Sequence, residues 1–174
     1  MARWFIATEN ARRAAGTRLL ASEANGAITL GSLRIEARAD RIDEIEPGGW
    51  EIIDYKTGRV PSPKELEGLF APQLLLEAAI ALHGRFEKID GPARTVHLSY
   101  WQANGLGDGG AVKEVEDGEA LVPAMIALLH RMIEHFGNPA TPYIALPWPE
   151  FIPHFNDYAH LERVAEWSTA GGKE

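Results

Sequence analysis

Alternating apolar and polar positions predict an antiparallel hairpin near the start of the chain. Over residues 33–42, apolar and charged side chains alternate, which is the period of a half-buried strand. Residues 27–30 predict its partner strand across a turn at Gly31 and Ser32. Residues 50–55, with the sequence WEIIDY, predict a third strand because aromatic and β-branched residues favour extended backbone.

Helical periodicity accounts for the other long segments. Residues 3–21 place apolar side chains at roughly helical spacing and predict a first helix. Residues 73–83 are apolar on nearly every side and predict a buried helix, which Gly84 ends. Residues 95–102 predict a fourth strand, and residues 118–136 predict an amphipathic helix.

The predicted order of elements is helix, three strands, helix, strand and helix, followed by a tail. This order predicts an α/β fold built on a mixed sheet. Residues 1–137 are expected to form the domain core. Residues 138–174 are expected to pack on that core, as a proline-rich extended stretch over residues 138–153 and a short helix near residues 157–167.

Composition limits the chemistry that this chain can perform. The 174 residues include no cysteine, which excludes a disulfide framework, a thiolate zinc site and an iron–sulfur cluster within this sequence. The lack of thiols fits a cytoplasmic location, and no apolar run is long enough to predict a transmembrane helix. The net charge is −8, yet residues 1–43 carry seven Lys and Arg against five Asp and Glu. The overall acidity is therefore weak evidence against binding to nucleic acid.

Three ionisable side chains are expected to converge at one end of the predicted second hairpin. The turn sets a register that puts Asp40 opposite residues 55–56 and Asp54 opposite residues 41–42. Asp54 and Lys56 are two residues apart on one strand, so their side chains point to the same face. The sequence therefore predicts two acids and one amine close together.

This combination predicts a metal-assisted reaction. Two carboxylates that lie close together repel each other unless a cation sits between them. Oxygen ligands suit Mg²⁺ or Mn²⁺, and the backbone carbonyl of Tyr55 is a candidate for a further ligand. An ammonium beside the metal stabilises developing negative charge, so the set fits hydrolysis of a phosphodiester.

Asp43 is an alternative to Asp40, because a β-bulge would exchange the faces of the two side chains. Both acids also have a structural interpretation, as strand-end carboxylates paired with Arg38 or Arg41. Asp40 is preferred because its expected register places it opposite Lys56.

The same residues carry a resemblance to a known family. A strand that ends in Asp40, a strand with Asp54-Tyr55-Lys56 and a helix with Gln73 near its start resemble the RecB-like branch of the PD-(D/E)XK nucleases. The segments ARADRID, IIDYKTGRVPSPKEL, APQLLLEAA and YAHLERVAEW are further similar to the C-terminal nuclease domain of AddB-type subunits, which belong to AddAB helicase–nucleases. The likeness covers about residues 3–168.

The resemblance implies a restriction-endonuclease-like core and a Mg²⁺- or Mn²⁺-dependent DNA exonuclease that acts in double-strand break repair and recombination. It implies that Asp40 and Asp54 are metal ligands and that Lys56 is the catalytic lysine. It also implies that Gln73 holds the site or contacts the DNA strand. The implied partners are single-stranded DNA and an AddA-like helicase–nuclease subunit.

Three further side chains lie near the expected site. Arg38 and Arg41 flank Asp40 and are candidates for contacts with DNA. Glu77 follows Gln73 by one helical turn on the same face. Many members of the family carry tyrosine at that place.

The sequence departs from the family pattern near its start. RecB-like nucleases usually carry a His or Glu on a helix before the first Asp, where it completes the metal shell. Residues 1–39 contain no His, so either Glu23 substitutes or the chain is an N-terminally truncated fragment, which is the preferred expectation. The missing helix keeps open two alternatives: a non-catalytic DNA-binding or docking domain, and another RecB-like exonuclease.

Overall fold

The computed structural model describes residues 1–103, 105 and 109–142. The predicted short helix near residues 157–167 and most of the predicted extended tail lie outside the described residues. The chain divides into two compact units, Met1–Glu134 and His135–Glu174. The first unit contains the sheet and the expected site.

A six-stranded mixed sheet forms the centre of the first unit. Its strands are β1 (Arg18–Leu30), β2 (Leu33–Glu46), β3 (Gly49–Lys56), β4 (Arg85–Phe86), β5 (Thr95–Gln102) and β6 (Ala111–Glu114). Their order across the sheet is β4-β1-β2-β3-β5-β6. β3 and β5 run parallel, and the other neighbours run antiparallel.

Four helices accompany the sheet in the described part of the chain: α1 (Ala2–Ala14), α2 (Pro63–Glu67), α3 (Gln73–His83) and α4 (Gly118–Gly137). Parallel neighbours need a crossover connection, and α2 and α3 supply it between β3 and β5. The predicted α/β fold is confirmed, and the arrangement is consistent with a restriction-endonuclease-like core.

The core lies between α3 and the sheet. Seven of the eleven α3 residues are buried, as expected for a helix that is apolar on nearly every side. Six of the seven, all but Glu77, pack with buried side chains of the central strands in one cluster, whose members include Ile42, Ile52, Leu74, Leu75, Ala78, Ile80, Leu98 and Tyr100. This packing fixes the start of α3 beside the end of β3.

The predicted helix over residues 3–21 is wrong in its second half. α1 ends at Ala14, Gly16 takes a left-handed backbone with φ of 93°, and β1 begins at Arg18. Glycine adopts this conformation without the steric penalty that other residues meet. Pairing of β1 with β2 then outweighs the local helical preference of residues 18–24.

Three short elements are absent from the sequence-based prediction. They are α2, β4 and β6, which contain five, two and four residues. Segments this short complete too little of a repeat for periodicity to detect. By contrast, the predictions for residues 73–83 and 95–102 match α3 and β5 at both ends.

Candidate active site

A β-bulge sets the register that brings the two acids together. Glu46 pairs with Gly49, but Glu44 pairs with Trp50, so the pairing shifts at Ile45. The ladder then runs to the pair formed by Arg41 and Ile53. Extension of this register by one residue places Asp40 opposite Asp54. The predicted position of Asp40 opposite residues 55–56 is therefore wrong, because the bulge absorbs one residue of β2.

The Asp40 carboxylate is held by the neighbouring strand. The backbone N–H of Tyr55 donates a hydrogen bond of 3.0 Å to Asp40 Oδ2. On the other side of β2, the pairing with β1 is interrupted between Ala39 and Arg41, and Glu23 faces this gap with a left-handed φ of 48°. Asp40 thus sits where both neighbouring ladders end or break.

Lys56 joins the two sides of the site. Its Nζ lies 3.0 Å and 2.8 Å from the two carboxylate oxygens of Asp54. It also donates a hydrogen bond of 3.2 Å to Gln73 Oε1 at the start of α3. The structure therefore brings Asp40, Asp54, Lys56 and Gln73 to one place, where β3 ends and α3 begins.

Glu77 extends this cluster into the protein. Gln73 Nε2 donates a hydrogen bond of 3.3 Å to Glu77 Oε1, one helical turn later. The Glu77 side chain is buried, and burial raises its pKa to about 8, helped by the nearby charges of Asp54 and Asp40. Burial also raises the pKa of Asp54, and the Asp40 charge adds to this while Lys56 opposes it. The site is therefore a cluster of three acids with one compensating ammonium.

Glu77 was not among the residues chosen from the sequence as catalytic or metal-binding. The signal available for it was its spacing of four residues from Gln73 on a helix. That spacing predicts a shared face, which the hydrogen bond between the two side chains confirms. Its burial agrees with the prediction that residues 73–83 form a buried helix, but its position near Asp54 depends on the tertiary packing of α3.

Asp43, the alternative to Asp40, lies in a different cluster. It is fully buried and accepts hydrogen bonds from Arg12 at 2.8 Å and Arg41 at 2.7 Å. Arg12 also forms an ion pair of 2.6 Å with Glu51, and Arg41 pairs with Glu9 of α1. This network ties α1 to the sheet.

The two arginines that were predicted to contact DNA have ionic partners of their own. The guanidinium of Arg41 belongs to the α1 network and not to the Asp54 cluster. Arg38 forms an ion pair of 2.5 Å with Glu23, and both side chains are largely exposed. The structure thus engages Glu23, the candidate substitute metal ligand, with Arg38.

The donor set of the site fits a divalent cation. Asp54 Oδ2 and Glu77 Oε2 are buried, and neither accepts a well-directed hydrogen bond in the described part of the chain, although Asp54 Oδ2 is within ion-pair distance of Lys56. Buried oxygens of this kind are costly unless a cation or a donor satisfies them. Residues 1–103, 105 and 109–142 contain no group of three acidic or histidine side chains close enough to enclose a metal by themselves. A Mg²⁺ site commonly uses one or two carboxylates and completes its shell with water and phosphate, and Asp40 and Asp54 match that pattern.

Comparison with known proteins identifies the family. A family model for the PD-(D/E)XK nuclease superfamily matches residues 1–147. The chain therefore belongs to the PD-(D/E)XK nuclease superfamily, as the motif Asp40, Asp54-Tyr55-Lys56 had suggested.

Curated relatives add little about function. An uncharacterized protein of Rickettsia conorii is 35% identical over 65 residues, which are 37% of this chain and 8% of that protein. An uncharacterized protein of Rickettsia typhi is 38% identical over 55 residues, which are 32% of this chain and 6% of that protein. The matched segments thus span less than a tenth of these longer relatives. No solved structure matches the chain. Among the described residues, no helix is both long and apolar enough to cross a membrane.

Proposed function

We propose that this chain is the metal-dependent DNA exonuclease domain of an AddAB-type helicase–nuclease that acts in double-strand break repair and recombination. The observation that carries the proposal is the contact of Lys56 with both Asp54 and Gln73. A lysine held between a metal-binding acid and a substrate-facing amide fits hydrolysis of a phosphodiester. Membership of the nuclease superfamily supports the same reaction class.

In this proposal, Asp40 and Asp54 hold Mg²⁺ or Mn²⁺, and the Tyr55 backbone carbonyl is a candidate for a further ligand. A bound divalent ion supplies charge neutralisation at the scissile phosphate and makes the attacking water more acidic. The hydrogen bond from the Tyr55 N–H keeps the Asp40 carboxylate oriented toward β3. The bulge at Ile45 keeps Asp40 opposite Asp54. Orientation of this kind is established before substrate arrives and lowers the barrier without further rearrangement.

Lys56 is assigned the role of holding the attacking water and stabilising the negative charge that develops on the phosphate. Its side chain is about one-third exposed, so a phosphate can reach the ammonium while Asp54 holds it. Gln73 is assigned to fix the ammonium through Oε1 and to contact the DNA strand. Its Nε2 is held by Glu77, which determines which end of the amide faces Lys56.

The larger assembly is proposed from the resemblance to AddB-type nuclease domains. It predicts single-stranded DNA as the substrate, a cytoplasmic setting and an AddA-like subunit as the partner. The relatives that share this segment are much longer proteins, which fits a nuclease domain within a larger chain. Co-purification of the tagged full-length protein with an AddA-like subunit tests the partner. If no AddA-like subunit co-purifies in stoichiometric amounts, the alternative that the chain is another RecB-like exonuclease would be favoured.

Hydrolysis of labelled DNA strands by the purified chain tests the activity. Mg²⁺- or Mn²⁺-dependent cleavage is expected, and Lys56→Ala and Asp54→Asn should each lower it by about a hundredfold or more. Lys88→Ala and Asp90→Asn make matched changes at exposed positions and should leave the rate unchanged. Equal rates in all variants would remove the catalytic assignment.

A second candidate is a DNA-binding or docking domain without catalysis. It is favoured by the ion pair between Glu23 and Arg38, because this pair engages the side chain that was the candidate to complete the metal shell. Calorimetric titration with Mn²⁺ distinguishes the two functions, since only the nuclease requires binding at Asp40 and Asp54. Binding that Asp54→Asn abolishes supports the nuclease, whereas no binding together with DNA affinity supports the second candidate.

A further inference from the structure

An apolar cleft opens directly beside Lys56 and Gln73. Its volume is about 480 Å³, which lies within the ~300–1,000 Å³ of typical small-molecule sites. We call it the Leu76 cleft. Its lining residues are Ala37, Lys56, Pro61, Ala71, Pro72, Gln73, Leu76 and Tyr100.

The lining of the Leu76 cleft combines one positive charge with apolar walls. Lys56 is the charged residue of the lining, and it stands at the proposed position of the scissile phosphate. The walls are aliphatic side chains and proline rings, among them Leu76 on the exposed edge of α3. Such walls disfavour a second phosphate, because its charge would lose hydration, but they accept the faces of a flat ring attached to the first one.

The walls of the Leu76 cleft are preformed. The loop that carries Pro61 is held by a hydrogen bond of 2.7 Å from Gln102 Nε2 to the Gly58 carbonyl. It is also held where Ser62 and Glu65 form a capping box at the start of α2. A preformed pocket loses little conformational entropy when a ligand enters.

We propose that the Leu76 cleft receives the base of one unstacked nucleotide of a single DNA strand whose phosphate lies at Lys56. This inference rests on the proposed nuclease function and names the substrate form that the site selects. A base within a duplex is stacked and paired, so it cannot enter a side cleft without being extruded, whereas bases of a single strand are free to do so. Since few polar groups line the cleft, it accepts all four bases with similar affinity.

Strands that each carry one abasic residue test the inference without altering the protein. The measured quantity is the cleavage rate at every bond, compared with the intact strand. Cleavage at the bond next to the abasic residue should fall about fivefold or more, because no base then buries its faces against the apolar walls. Cleavage rates that do not depend on the position of the abasic residue would contradict binding of a base in the Leu76 cleft. They would leave the proposed nuclease function unaffected.

A variant that fills the cleft provides the second arm. Ala71→Leu adds an apolar side chain to the wall and should remove the difference between intact and abasic strands. Ala7→Leu makes the same change at an exposed position of α1 and should preserve that difference. A full abasic effect in Ala71→Leu would contradict the assignment.

The affinity of the protein for intact and abasic strands, measured in the presence of Ca²⁺, tests this inference independently of the proposed function. If no metal-dependent cleavage occurs, the proposed function fails, and fluorescence anisotropy still tests the cleft. An affinity that drops at one abasic position supports the base site. Equal affinities for intact and abasic strands overturn it.

Discussion

The backbone N–H of Tyr55 donates a 3.0 Å hydrogen bond to Asp40 Oδ2, so the strand that carries the second acid also orients the first one. This contact exists because the bulge at Ile45 shifts β2 by one residue against β3. Asp43, three residues later, is bound to Arg12 and Arg41 instead. The two aspartates are therefore expected to differ in what they contribute.

Exchange of each aspartate for asparagine should separate these contributions. Asp40→Asn should lower metal-dependent cleavage by about a hundredfold and leave the stability nearly unchanged. Asp43→Asn should lower the free energy of unfolding by roughly 3 kcal/mol, because the half-buried guanidinium groups of Arg12 and Arg41 each lose one charged partner. Urea denaturation and cleavage rates of both variants check this. If instead Asp43→Asn abolished cleavage and Asp40→Asn lowered only the stability, the metal-binding role would belong to Asp43.

Gln73 is a positioning residue for Lys56, and its loss should affect turnover. Gln73→Leu removes the 3.2 Å contact to the ammonium and suits the apolar α3 helix. We expect kcat to fall by about tenfold with a smaller change in KM. Asn10→Leu, at an exposed position of α1, is the control. An unchanged kcat in Gln73→Leu would show that Lys56 is held by Asp54 alone.

Local sequence patterns predict some parts of the site and not others. Strand periodicity places Asp54 and Lys56 on one face because both belong to the same strand. The position of Asp40 depends on a bulge, and the sequence around Ile45 contains no pattern that predicts one. The β1 strand was also missed over residues 18–26, since its pairing with β2 is a tertiary effect.

The same limit applies to the charged residues. Arg38 and Arg41 suggest phosphate contacts when only sequence neighbours are considered. In the structure, Arg38 pairs with Glu23 of β1, which is another strand. Arg41 pairs with Asp43 on its own strand, as the structural interpretation of Asp43 predicts, and with Glu9 of α1. The pair with Glu9 becomes visible only when α1 is placed on the sheet.

Divalent cations should stabilise the fold through the two acids of the site. A cation that binds only the folded state at a hundred times its dissociation constant adds ~2.7 kcal/mol to the free energy of unfolding. Thermal unfolding with Mn²⁺ and then with excess EDTA measures this effect. Asp54→Asn should abolish it, whereas Asp90→Asn should not. An equal shift in both variants would locate the cation elsewhere.

Substitution of Glu77 tests whether this buried acid of the site lowers the free energy of unfolding. Its Oε2 is buried without a hydrogen-bond partner in the described part of the chain, and apolar residues of α3 surround its position. Glu77→Leu should therefore raise the free energy of unfolding without metal by about 1–3 kcal/mol, the usual cost of an unsatisfied buried polar group. It should also slow cleavage, since Gln73 loses the acceptor that fixes its amide.

Glu51→Leu is the matched control for this prediction, because the same substitution should have the opposite effect there. Glu51 is also buried, but it forms a 2.6 Å ion pair with Arg12 and accepts a 2.6 Å hydrogen bond from Ser99. Its removal leaves the half-buried guanidinium of Arg12 with one partner fewer and the buried Ser99 hydroxyl without its acceptor, so stability should fall by roughly 3–5 kcal/mol. Thermal and urea unfolding of the two variants measure the contrast. If Glu77→Leu destabilised the chain as strongly as Glu51→Leu, Glu77 would be a structural residue with a partner in the folded state. The claim that its buried carboxyl lowers the stability of the fold would then be wrong.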